Sequence, residues 1–76
     1  MLNRASPVPL YFQLAEAILA QVRRGELLPG QQLPAERELS EHYGISRMTV
    51  RQAIQYLIAE GVLSARQGLG TFVAEP

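Results

Sequence analysis

Two arginines stand four residues apart in the stretch SRMTVRQAI, residues 46–54, at the start of a segment with helical spacing. Because four residues make about one helical turn, Arg47 and Arg51 share a face, and Gln55 continues the row without an acidic residue. A solvated helix normally offsets such arginines with glutamates three or four positions away. We therefore expect a counter-charge from outside the helix: a guanidinium can fork onto a phosphate or onto O6 and N7 of guanine. A solvated basic face is the alternative.

The other residues at the start of this helix are candidates for the same surface. The apolar stripe centres near Leu57, which leaves Met48 and Gln52 on the opposite side with Thr49 flanking them. Ser46 is a good N-cap, since its hydroxyl can accept a hydrogen bond from the free amides of the first turn. Met48 either touches a thymine methyl group or is simply exposed.

The composition limits the function classes that fit the chain of 76 residues. Seven arginines and seven glutamates, without lysine or aspartate, give zero net charge and argue against a nonspecific polyanion binder. The charges are unevenly spread: one arginine stands against three glutamates in residues 31–45, but three arginines stand against one glutamate in residues 46–70. The absence of cysteine points to a reducing interior, and no apolar stretch or leader predicts membrane insertion or export. We expect a soluble, cytoplasmic protein without a membrane partner.

Catalytic chemistry finds little support in the sequence. His42 is the only histidine, cysteine is absent, and no motif places a base beside a serine. Glu38 and His42 are four residues apart on a predicted helix, but two ligands do not make a metal site. The sequence predicts no enzymatic activity, no cofactor and no metal.

Periodicity and turn residues predict the elements that hold this surface. Apolar residues at helical spacing predict one helix after Pro9, a short second helix opened by Pro34 and ended by Gly44, and a third helix that Gly61 ends. The second and third helices form a helix-turn-helix signature at about 36–55. The Pro-Gly turn in ELLPGQQLP, followed by a leucine, predicts one short extended segment before the second helix.

The last part of the chain changes period. Residues 62–66 and 71–74 are rich in branched and aromatic residues and predict two strands, joined by QGLG. Three helices followed by a β-hairpin predict an α+β, mostly α, fold: a winged helix-turn-helix. The predicted domain spans residues 9–74, with the wing at about 62–74 and a flexible arm at residues 1–8.

The second helix and the wing supply further candidate contacts. Glu36 and Glu38 favour the positive end of the helix dipole, so we interpret them as structural and Arg37 as free to reach a phosphate. Arg66 or Gln67 could enter the minor groove at the wing. The glycines beside them, Gly68 and Gly70, let the wing lie close to DNA or simply make the turn.

With these motifs in place, the chain resembles the DNA-binding domain of the GntR family of bacterial transcription regulators. The resemblance is carried by PLYFQL, by GELLPGQQLPAERELSEHYGISRMTVRQAI, by L..EG.L and by RQGLGTFV, which together cover Pro9 to Val73. It implies a winged-helix domain that binds a palindromic operator in double-stranded DNA as a symmetric dimer. The recognition helices would enter the major groove and the wings the minor groove. The motifs SRMTVR and GLGTFV most resemble those of the family's HutC-like branch.

The resemblance also implies which residues contact DNA. The family's contacts fall here on Arg37, Arg47, Thr49, Arg51, Gln67 and Gly68, with Arg66 carried over beside them. Family members have a carboxyl-terminal domain that binds a small-molecule effector and mediates dimerisation, so we expect residues 75–76 to begin a linker and the chain to be a DNA-binding fragment. Ala35 departs from the family, which usually has a capping serine there; we expect a local cost of ~1 kcal/mol.

The sequence and the resemblance together predict the DNA-recognition module of an effector-responsive transcriptional repressor. The predicted DNA-binding residues are Arg37, Ser46, Arg47, Met48, Thr49, Arg51, Gln52, Arg66, Gln67, Gly68 and Gly70. The alternative is a winged helix used for protein interaction, with Met48, Tyr56 and the wing as an apolar docking patch.

Overall fold

The computed structural model describes residues 2–76 and contains three helices followed by a two-stranded antiparallel sheet. The elements are α1 (Leu10–Arg23), α2 (Glu36–Tyr43), α3 (Arg47–Ala59), β1 (Leu63–Arg66) and β2 (Gly70–Val73). The predicted fold is therefore confirmed in type and order. None of the helices described for residues 2–76 has the length and hydropathy needed to cross a bilayer.

The element boundaries differ slightly from the sequence prediction. Helix α2 starts after Pro34, because Ala35 is its extended N-cap residue with ψ of 158°. Only one half of a capping box forms there, since the Ala35 amide donates to Glu38 Oε1 at 3.1 Å while alanine offers no acceptor in return. Strand β2 begins at Gly70, one residue before the predicted start.

The turn between α2 and α3 is fixed by hydrogen bonds on both sides. Gly44 is left-handed, with φ of 67°, and its amide donates to the Ser40 carbonyl at 2.9 Å. The Ser40 hydroxyl in turn donates to the Ile45 carbonyl at 2.6 Å, and the Ile45 side chain is buried. These contacts set the direction in which α3 leaves the turn.

Helix α3 lies at the centre of the domain. It packs against α1, α2 and β1, and its side chains Val50 and Leu57 are fully buried together with Leu14 and Ile18 of α1. Burial on three sides leaves only one face of α3 open to a ligand. The predicted buried stripe of α3 is confirmed for Val50, Ala53, Ile54 and Leu57, whereas Ile58, which helical spacing also predicts for the stripe, is 36% exposed near the end of the helix.

The wing is broader than a free hairpin. Strands β1 and β2 pair from Leu63 with Val73 to Arg66 with Gly70. The extended segment 30–33 hydrogen-bonds to the other edge of β2: the Leu33 amide donates to the Thr71 carbonyl and the Val73 amide to the Gln31 carbonyl, both at 2.8 Å. The short extended segment predicted at the Pro-Gly turn therefore serves as a third strand-like edge of the wing.

The amino-terminal segment folds back onto the helices. The Gln13 carboxamide on α1 accepts from the Asn3 amide at 2.7 Å and donates to the Asn3 and Val8 carbonyls, each at 2.8 Å. Arg4 donates to the Gly44 carbonyl, and Leu2 packs against the core. We expected residues 1–8 to form a loose arm; for residues 2–8 the structure differs, because one glutamine side chain closes the segment into a turn. Met1 lies outside the described residues.

Candidate nucleic-acid interface

The amino-terminal turn of α3 is held by paired hydroxyl groups. The Ser46 hydroxyl accepts from the Thr49 amide at 3.1 Å, as a capping serine should, and lies 2.9 Å from the Thr49 hydroxyl. Among the predicted contacts, Ser46 and Thr49 are therefore already joined to each other.

Removing this cap should have a local effect on stability. We expect Ser46→Ala to lower the free energy of unfolding by about 1 kcal/mol, because one first-turn amide loses its acceptor. Ser46→Asn, which keeps an acceptor at the cap position, should stay close to the wild type in thermal unfolding. Equal melting temperatures for the two variants would show that the cap contributes nothing.

The open face of α3 carries the residues that the sequence predicted for it. Arg47, Met48, Arg51 and Gln52 are all exposed, and Met48 keeps 65% of its surface accessible. Of these, Arg47 makes no ion pair with any carboxylate in residues 2–76. A guanidinium at the start of the helix thus remains available for an external anion.

Arg51 does have an internal counter-charge, which corrects the sequence-based expectation. Its Nε donates to Glu36 Oε2 at 3.0 Å and its Nη2 to Glu36 Oε1 at 2.9 Å, a bidentate pair between α3 and the first turn of α2. The hydrogen bonds from Arg51 lower the pKa of Glu36, and the carboxylate raises the pKa of Arg51. Spacing along one helix could not reveal this pair, because its members are separated by 15 residues and meet only through the turn.

Arg37 is also paired rather than free. Its Nε lies 3.3 Å from Glu41 Oε2, one turn along α2, and both side chains are about two-thirds exposed. An exposed pair of this kind is weak and screened by salt, so a phosphate can replace the carboxylate. The interpretation of Arg37 as a phosphate contact stays a prediction, but Arg37 must first leave Glu41.

The wing tip presents a second basic group. The Arg66 guanidinium carbon lies 4.6 Å from the centre of the Phe72 ring, and Nη2 is 4.0 Å from Glu75 Oε1. Gln67, Gly68 and Leu69 form the exposed turn, which the Leu69 amide closes by donating to the Arg66 carbonyl at 2.9 Å.

Sequence reasoning missed Gln32, which supports the wing tip. Its Nε2 donates to the Leu69 carbonyl at 2.7 Å, and a Cβ atom on Gly70 would lie only 2.6 Å from the same nitrogen. Gly70 has φ of 129°, a conformation that other residues rarely adopt. No sequence pattern could have found this contact, because Gln32 and Leu69 are 37 residues apart.

Gly70 should therefore tolerate substitution less well than Gly68. We expect Gly70→Ala to lower the free energy of unfolding by about 2–3 kcal/mol, mainly because a side chain at this φ is strained, and also because the end of Gln32 must move and give up its bond to Leu69. Gly68→Ala, at a positive φ with open space around it, should cost about 1 kcal/mol. Chemical denaturation of both variants measures the difference, and equal losses would refute the greater strain at Gly70.

An open groove brings much of this surface together. It has a volume of about 960 Å³ and lies between α2, α3 and the wing, with Arg37, Arg47, Leu69 and Gly70 among its lining residues. The structure thus places arginines from both helices of the helix-turn-helix on the same concavity as the wing tip.

Tyr56, predicted for the alternative docking patch, instead packs edge-on against Tyr11 and Phe12 of α1, at centroid distances of 6.2 and 5.5 Å. Within residues 2–76 no three histidine or acidic side chains cluster as metal ligands would.

A helix-turn-helix whose second helix is exposed beside a hairpin wing defines a winged-helix DNA-binding domain. Comparison with known proteins gives the same class. The family model described as "Bacterial regulatory proteins, gntR family" matches residues 10–73. The solved structure of AraR(DBD) in complex with operator ORX1 is 41% identical, with a TM-score of 0.89 over 97% of this chain and 92% of that one.

Curated relatives agree. The HTH-type transcriptional repressor NagR of Bacillus subtilis (strain 168) is 51% identical over 99% of this chain and 31% of its own length. The histidine utilization repressor of Pseudomonas putida is 44% identical over 92% of this chain and 28% of its own length. The chain spans about a third of the length of these relatives. It belongs to the gntR family of bacterial regulatory proteins, and the predicted resemblance and DNA-binding function are confirmed.

Proposed function

We propose that this domain recognises a palindromic operator for an effector-responsive transcriptional repressor, acting without catalysis in the cytoplasm. The observation that carries the proposal is the position of Arg47: exposed, without an ion-pair partner in residues 2–76, and beside the groove between α2 and the wing. A repressor is the proposed class because NagR and the histidine utilization repressor are described as repressors.

The proposed contacts divide between the two grooves. Arg47, Met48, Arg51 and Gln52 on α3 would face base edges in the major groove, with the turn of Ser46 and Thr49 near the backbone. Arg37 would bind a phosphate from α2, and the wing residues Arg66 to Gly70 would follow the minor groove. Met48, 65% exposed, is suited to contact with a thymine methyl group in the major groove, and Leu69, also 65% exposed, is suited to contact with sugars in the minor groove.

A palindrome follows from twofold symmetry. One domain offers few arginines, so a single copy should bind weakly, and two copies on an inverted repeat would double the contacts. The relatives are about three times longer than this chain, and we propose that the additional part of the full protein binds a small-molecule effector and pairs the two copies.

Selection from random duplex DNA tests the proposal. The chain should enrich an inverted repeat or its half-site, and affinity for the selected duplex should fall steeply with salt. If Arg37, Arg47, Arg51 and Arg66 each neutralise one phosphate, log K against log[salt] has a slope of about −3.6 per domain. Each arginine that contacts a base instead makes this slope shallower by about 0.9. Enrichment of no sequence, or apolar binding that salt barely changes, would overturn the proposal in favour of protein interaction.

A further inference from the structure

The pair between Glu36 and Arg51 leaves part of the guanidinium unoccupied. An arginine has five N–H donors, and Glu36 uses one on Nε and one on Nη2. The three that remain are both hydrogens of Nη1 and the second hydrogen of Nη2. Nη1 and Nη2 together form the end-on fork that matches O6 and N7 of guanine. Binding to Glu36 therefore does not block Arg51 from contacting a base.

Glu36 is also built to hold its partner in one orientation. It lies in the first turn of α2, where the helix dipole favours a carboxylate, and Leu39 anchors the same helix in the core. Its side chain is 34% exposed, against 67% for Glu41 in the pair with Arg37. Two parallel hydrogen bonds fix the plane of a guanidinium, whereas the single contact of Arg37 leaves that group free to rotate.

We propose that Glu36 is a positioning residue for sequence specificity: it directs the end-on fork of Arg51 at a guanine in the major groove and keeps Arg51 from a phosphate. This inference rests on the proposed operator recognition. An unpaired arginine near DNA is drawn to the phosphates, which carry no sequence information. Paired with Glu36, Arg51 adds little net attraction to the backbone, and its contribution to binding becomes directional. Glu36 thereby lowers the affinity for DNA of any sequence and raises the discrimination between the operator and other sequences.

Two variants of α2 separate this role from simple repulsion of DNA. Glu36→Gln and Glu41→Gln each remove one negative charge from the same helix, so both should bind a scrambled duplex several-fold more tightly. Glu36→Gln should nevertheless lose about tenfold in discrimination between the selected and the scrambled duplex, because Arg51 is no longer oriented. Glu41→Gln should keep the wild-type ratio within about twofold, since Arg37 is proposed to contact only phosphate. Affinities are measured by fluorescence anisotropy with the 76-residue chain at fixed salt.

Two further measurements exclude a merely structural role. Glu36→Asp keeps the charge but shortens the side chain, so discrimination should fall while affinity for scrambled DNA stays unchanged. Replacing the guanines of the selected duplex with 7-deazaguanine, one at a time, removes N7. At one position the wild type should lose affinity and Glu36→Gln should not. Thermal unfolding confirms that each variant is folded.

The outcomes distinguish this inference from the proposed function. If the wild type does not prefer the selected duplex, the operator proposal fails. If the wild type discriminates and Glu36→Gln tightens binding to both duplexes equally, Glu36 only repels DNA and the positioning role is overturned. Loss of discrimination in Glu36→Gln and Glu36→Asp, but not in Glu41→Gln, supports it.

Discussion

Arg47→Ala is expected to weaken binding to the selected operator by about 5- to 150-fold per domain, the equivalent of one lost bidentate contact of ~1–3 kcal/mol. Arg47 makes no ion pair in residues 2–76, so its guanidinium needs no internal rearrangement before it binds DNA. If it contacts a base, affinity for scrambled DNA should fall much less; if it contacts a phosphate, both affinities should fall and the salt slope should drop by about 1.

Arg23→Ala is the matched control for this prediction. It removes the same charge from an exposed position in the last turn of α1, outside the proposed interface. We expect its operator affinity to stay within about twofold of the wild type, since only weak long-range attraction is lost. Operator binding by Arg47→Ala as tight as that of Arg23→Ala would place the recognition surface elsewhere.

Leu57→Ala should have the largest effect on stability. The side chain is 1% exposed at the point where α3 meets the other elements. Loss of its apolar contacts and the cavity left behind should cost about 2–5 kcal/mol. Native proteins have a total stability of only about 5–15 kcal/mol, and small domains bury less surface, so the loss should remove a large part of the free energy of unfolding.

Urea denaturation followed by circular dichroism measures this loss, with Leu28→Ala as its control. Leu28 is 58% exposed, and its truncation removes the same atoms from a solvated position. Its free energy of unfolding should match that of the wild type within about 0.5 kcal/mol. A Leu57→Ala midpoint no lower than that of Leu28→Ala would mean that α3 is not fixed by this core.

The sequence predicted what depends on local pattern. The stripe of Val50, Ala53 and Leu57 predicted the buried face of α3, and the capping role of Ser46 appears as a hydrogen bond to Thr49. Such features follow from helical geometry within a few residues, so they survive any tertiary arrangement.

What the sequence could not predict depends on tertiary contact between distant segments. Glu36 looked like a helix-dipole acid and Arg51 like an unpaired cation, because nothing local indicates that α2 lies against α3 in that register. The contact of Gln32 with Leu69 has the same origin. In both cases a polar side chain contacts a partner that is distant in the sequence.

The extended segment 30–33 has a mechanical consequence. It is hydrogen-bonded to β2 and is followed, after Pro34 and Ala35, by α2, so we expect the wing and α2 to shift together. A minor groove that is too wide or too narrow would shift the wing and α2 together and so displace α3 in the neighbouring major groove. Base changes under the wing and under α3 should therefore be energetically coupled, with penalties in double operator mutants that do not simply add.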